Sequence, residues 1–189
     1  MYNRNLKCEG ARMSPKRLQL YDTLRRLWIE HVMWTRSFIV SAVFGLPDLN
    51  MVTNRLLRNP VDFADVLRPL YGEIKAARFK NLLTEHLQIA GDLVSAAKAG
   101  DSAKADIKRR EWYANADEIA GFLNEINPYW NKMTWQTLLY DHLKMTENAA
   151  VQILQGQYEA GIEQFDAIQK EALDMADYMS SGIFRQFGL

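Results

Sequence analysis

From Leu20 onward, apolar side chains return every three or four residues, the spacing of an α-helix. No segment alternates apolar with polar residues as a half-buried strand does. The first run carries Leu20, Leu24, Leu27, Trp34 and Phe38. Ser14 before Pro15 reads as an N-cap followed by a proline in the first turn, where its missing N–H costs nothing, and Gly45 with Pro47 stops the run. A helix is therefore predicted over 15–44. Two short helices are expected next, one from Asp48 to Arg58 and one opened by Asn59-Pro60 and ended by Pro69. Long helices follow over about 73–99, from Asp101 to 126, from Asn131 or Thr134 to Leu154, and over 158–186, punctuated by Gly100, Asn127-Pro128 and Gly156. The expected fold is all-α, an antiparallel four- or five-helix bundle with a short two-helix insertion after the first long helix. Residues 1–13 are polar and aperiodic and read as a flexible tail; 14–189 form a single helical-bundle domain with no low-complexity linker.

Composition narrows the partners. With 48% hydrophobic residues in 189, the chain can bury a core without staples. Its single cysteine, Cys8, allows no internal disulfide. Lys+Arg and Asp+Glu balance at 23 each, which removes the basic footprint of a nucleic-acid binder. The balance is uneven along the chain, basic up to Arg26 and acidic from Glu159, so the two ends are expected to lie side by side. The longest apolar patch, Phe38 to Leu46, is too short to cross a bilayer, and no basic-then-apolar leader is visible. A cytoplasmic protein with neither nucleic-acid nor membrane partner is the expectation.

The candidate chemistry lies in the histidines. There are three, and they sit in matching segments: Leu27-Trp28-Ile29-Glu30-His31-Val32, Leu82-Leu83-Thr84-Glu85-His86-Leu87 and Leu138-Leu139-Tyr140-Asp141-His142-Leu143. Each has a carboxylate before it and a leucine four residues before it. The segments share helical spacing but neither length nor flanks, so they are not read as a repeat array. Positions four before and three, four and seven after each histidine are mostly apolar, which points each ring at the core. Each histidine also falls near its helix midpoint, so three rings in one bundle would meet at one height. Buried imidazoles without partners are costly, whereas neutral ring nitrogens satisfy a bound cation. The expectation is one divalent transition-metal ion (Zn, Fe, Ni or Cu) held by His31, His86 and His142. Glu30, Glu85 and Asp141 lie about 100° around the helix from their histidines, too far to chelate with them but placed to orient a neighbour's ring or to complete the coordination. Asp174 or Asp177 could supply a fourth ligand, with Asn115 and Asp117 as weaker candidates. A water on such an ion would permit hydrolysis, and a sensor or carrier role is equally open.

Two other readings stand beside it: a non-catalytic interaction or scaffold bundle with a hydrogen-bonded histidine and carboxylate layer, and a bundle with a small-molecule pocket lined by tryptophans and methionines. Thr35 and Thr146, four residues after their histidines, are expected to bond the preceding turn. No phosphate-cradling glycine loop, Walker-type lysine or nucleophile elbow is present.

The segments LWIEHVMWTR, GLPDL, RLLRNPVDF, LLTEHL, WYANADEIA and MADYM resemble those of an uncharacterised family of short bacterial all-helical proteins, over about Leu24 to Phe187. Some members of that family carry a label of acetylglutamate kinase. A kinase of that kind needs an α/β nucleotide fold and glycine-rich phosphate loops, and this chain has neither. In architecture the chain is also similar to three-histidine bundles of the DinB type, which place two histidines on one helix where this sequence has one on each of three.

Overall fold

The computed structural model describes residues 13–189. Apart from Met13, which is exposed, the expected tail lies outside the described residues. The described residues are all-helical: α1 (Pro15–Phe44), α2 (Leu49–Tyr71), α3 (Glu73–Lys98), α4 (Ser102–Ile126), α5 (Lys132–Leu154) and α6 (Tyr158–Phe187). The caps read from the sequence are in place. Ser14 Oγ accepts from Arg17 N, Asp101 Oδ1 from Lys104 N and Asn131 Oδ1 from Thr134 N.

The expected pair of short helices is instead one continuous helix, α2, with Pro60 and Pro69 inside it. An interior proline costs about 3 kcal/mol through a lost hydrogen bond and a clash with the preceding turn. Here an unbroken buried stripe, Val52, Leu56, Phe63 and Leu67, runs along both sides of Pro60 and outweighs that cost. The bundle therefore has six long helices among the described residues, not four or five plus an insertion.

Each helix packs on the next, α6 packs back on α1, and α1 also touches α3 and α5. Polar contacts show which ends meet. Tyr71 Oη, at the end of α2, donates to Gln186 Oε1 near the end of α6 and accepts from Asn127 Nδ2 just past α4. Gln186 Nε2 in turn donates to Ile126 O. At the opposite end Lys98 Nζ donates to Ala42 O, and the ring of Phe44 lies 6.1 Å from that of Tyr158. The described part of the basic start, on α1, does lie beside the acidic α6, joined by Arg25 and Asp177.

The three hairpins α1–α2, α3–α4 and α5–α6 carry several residues at a common spacing, although α1, α3 and α5 differ in length at 30, 26 and 23 residues. Gly45, Gly100 and Gly156 end α1, α3 or α5 with positive φ of 64°, 73° and 73°, a conformation that glycine adopts without a Cβ penalty. These glycines recur at the same period of 55 or 56 residues as the histidines. On the even helices Ala64, Ala120 and Ala176 occupy equivalent positions, all fully buried. Around them Phe63, Phe79, Phe122, Trp130, Trp135, Met175 and Met179 fill the core. No helix among the described residues is long and apolar enough to cross a membrane.

Candidate functional site

The odd helices carry the histidines, and their stripes turn all three rings inward: His31, His86 and His142 are each 2% exposed. The ring centroids of His31 and His142 are 5.7 Å apart and those of His31 and His86 are 6.4 Å apart. The three equivalent histidines thus gather in one layer at the middle of the bundle.

Each ring is held from the even helix of its own hairpin. His31 Nδ1 lies 3.0 Å from Asn59 Oδ1, His86 Nδ1 2.9 Å from Asn115 Oδ1 and His142 Nδ1 3.0 Å from Glu171 Oε2. The two asparagines fix the direction of these bonds. Asn59 Nδ2 donates to Leu27 O and Asn115 Nδ2 to Leu82 O, in each case the carbonyl four residues before the histidine. Their Oδ1 atoms are therefore acceptors, so His31 and His86 donate through Nδ1–H and carry their lone pairs on Nε2. Burial, reinforced by the neighbouring histidines, pushes both imidazoles down to about 3, against the smaller upward pull of the asparagine bonds. Both rings are neutral at pH 7.

The third hairpin breaks the pattern. Glu171 stands where the others have asparagine, and a carboxylate cannot donate to the helix carbonyl that the amides engage. Its Oε1 is buried and has no partner among the described residues. The three Nε2 atoms also differ. Trp112 Nε1–H donates to His86 Nε2 at 3.1 Å, whereas no described side chain donates to the Nε2 of His31 or of His142.

The carboxylates singled out from the sequence do not reach the rings. Glu30 pairs with Arg26 and Arg55, and Glu85 and Asp141 are exposed. The cause is the angle: a residue one position before an inward-facing histidine faces the bundle surface. Asp177 is taken by Arg25, Asp174 is exposed, and Asp117 accepts from Tyr140 and Gln136. Asn115 is at the site, but as the acceptor behind His86. The orienting role expected of Glu30, Glu85 and Asp141 falls instead to Asn59, Asn115 and Glu171. Each of these lies 28 or 29 residues after its histidine, a nearly equal offset that is visible in the sequence once the hairpin period is known. Among the described residues, no group of three or more His, Cys, Asp or Glu is placed so that it could hold a metal ion.

No family model, no curated protein and no solved structure matches the chain.

Proposed function

We propose that the protein binds one divalent transition-metal ion through the Nε2 atoms of His31, His86 and His142, at the centre of three antiparallel helical hairpins. Glu171 carries the reading. In a purely structural layer an asparagine at this position would satisfy both its ring and its carbonyl, as Asn59 and Asn115 do. A glutamate there leaves its Oε1 buried without a partner among the described residues, and a buried polar group left unpaired costs about 1–3 kcal/mol. A divalent cation on the three imidazoles would set a positive charge close to that oxygen. Tying Nδ1–H to an acceptor so that the lone pair lies on Nε2 is how proteins prepare histidine ligands, although Trp112 occupies that lone pair on His86.

Distances set what binding requires. Bonds of about 2.0–2.1 Å from one ion to three imidazole nitrogens put ring centroids about 5 to 5.5 Å apart. The His31–His142 pair, at 5.7 Å, is within a few tenths of an ångström of that range. The His31–His86 pair, at 6.4 Å, has to close by about 1 Å, and the Trp112 indole has to release His86. This geometry suits an ion such as Zn²⁺, Fe²⁺, Ni²⁺ or Cu²⁺ with a coordination position left open.

One observation favours a second reading, a non-catalytic bundle with a closed polar layer: Trp112 already satisfies His86 Nε2. In that case the 3.0 Å contact between His142 Nδ1 and Glu171 Oε2 belongs to the same hydrogen-bonded layer. Elemental analysis of protein purified without a histidine tag separates the two. The metal reading expects about one ion per chain, lost in His86→Ala and bound about 10- to 100-fold more weakly in Glu171→Gln. Folded protein that contains no metal and takes up none of the four ions contradicts it and supports the polar layer.

A further inference from the structure

The exposed large hydrophobics are not spread evenly over the bundle. All but Met33 and Val61 lie within about two turns of a helix end, so they collect on the two end faces. Single exposed side chains need no explanation, whereas grouped ones mark surfaces that can be covered. On the face where α1 turns into α2 and α5 into α6, the rings of Phe44 and Tyr158 lie 6.1 Å apart. Leu46, Met51 and Ile162 are exposed around them. On the opposite face the Arg185 guanidinium lies 6.0 Å from the centre of the Tyr129 ring, and Phe187 packs on Tyr71. Ile74 and Met133, which open α3 and α5 there, are 85% and 75% exposed, the highest values of the set.

The two faces carry opposite charge. Exposed Glu159 and Glu163 stand beside Tyr158 and Ile162 on the first face, and Lys98 at its edge is held by Ala42 O. On the second face Lys75 follows Ile74, Lys132 precedes Met133 and Arg185 covers Tyr129, all three exposed. The carboxylates of that end, Glu73 and Glu125, are paired with Arg68 and Arg78. None of Glu159, Glu163, Lys75, Lys132 and Arg185 takes part in a salt bridge among the described residues. The helices hold these faces apart: α1 and α2, of 30 and 23 residues, are about 45 and about 35 Å long. The charges of one face therefore cannot be answered by the other within one chain.

We propose that copies of this chain associate end to end, the acidic apolar face at Phe44 and Tyr158 of one seated on the basic apolar face at Tyr129 and Met133 of the next. The apolar side chains supply the area buried, and the opposite charges set which face meets which. Two like faces would bring unpaired like charges together, which disfavours a two-fold pair through either end. A contact between unlike faces leaves one of each kind free, so it continues beyond a pair. The histidine layer takes no part in it.

Sedimentation velocity of the full chain in EDTA, over a range of concentrations at about 0.02 M and about 0.5 M salt, tests this. At low salt the weight-average mass is expected to climb with concentration past that of two chains, and high salt weakens association about 10-fold or more. Glu159→Lys with Glu163→Lys reverses one face, and Lys132→Glu with Arg185→Glu reverses the other. Either double variant alone associates about 10-fold more weakly or worse, because its altered face meets its own charge on the next copy. Mixing the two double variants restores association, which a loss caused by misfolding would not do. The proposal is overturned if the parent stays a single chain throughout, if association stops at two chains and survives either reversal, or if the mixture remains dissociated. EDTA keeps metal out of the assay, so this outcome and that of the metal reading are independent.

Discussion

Acid should begin to destabilise the metal-free protein above the usual carboxylate range, because folding demands that two imidazoles stay neutral. His31 and His86 are pushed down to about 3 in the folded chain, chiefly by burial, and return to about 6.5 on unfolding. Above pH 6.5 both states hold neutral rings and no stability is lost. Below it the unfolded chain takes up protons that the folded chain refuses, so stability falls with pH until about pH 3. Each ring contributes a slope of about 1.4 kcal/mol per pH unit. From pH 7 to pH 5 that amounts to about 2 kcal/mol per ring and about 4 kcal/mol for the two, a large part of a typical 5–15 kcal/mol. Urea denaturation of EDTA-treated protein at pH 7, 6 and 5 measures the effect above the range where most carboxylates titrate. His86→Gln should remove half of the slope whatever it does to stability at pH 7. A stability that stays flat from pH 7 to pH 5, or a slope unchanged in His86→Gln, would refute the buried neutral pair.

Two further outcomes follow from the same packing. Asn115→Leu strands His86 Nδ1–H in the core, a loss of about 1–3 kcal/mol. In a chain of this size that lowers Tm by about 2–12 °C, read by circular dichroism, with a shift under 1 °C counting against the bond. Gly182→Ala places a methyl group 2.0 Å from Trp130 Nε1, the indole nitrogen that donates to Met179 O. The backbone or the buried ring has to move, and a loss of about 1–3 kcal/mol is expected in urea denaturation; parental stability would show that the contact is not tight.

The long helices were legible because their ends are chemically marked. Ser14, Asp101 and Asn131 accept from the first turn and the glycines close the last, so the boundaries of α1, α3, α4, α5 and α6 agree with the sequence to within a residue or two. α2 was not, because Asn59-Pro60 is a normal way to begin a helix, and only the stripe packed on α1 and α3 carries the chain through it. The convergence of the histidines could be read from their inward stripes and midpoint positions. Their partners could not. Neighbouring carboxylates drew attention because they are adjacent in sequence, yet adjacency on a helix separates side chains by about 100°. Asn115 showed as a polar residue on an apolar stripe, whereas Asn59 reads as a cap and Glu171 as one more acid on a charged helix. The common offset from histidine to partner connects all three, and it has meaning only once the 55- to 56-residue hairpin period is recognised.

The ¹⁵N chemical shifts of the three imidazoles, recorded at pH 7 on EDTA-treated protein and again with one equivalent of Zn²⁺, test the central arrangement most directly. The account predicts neutral His31 and His86 rings protonated at Nδ1, and a change on adding Zn²⁺ at the Nε2 resonances of all three histidines together. His31 or His86 protonated at Nε2, or spectra indifferent to Zn²⁺, would contradict it.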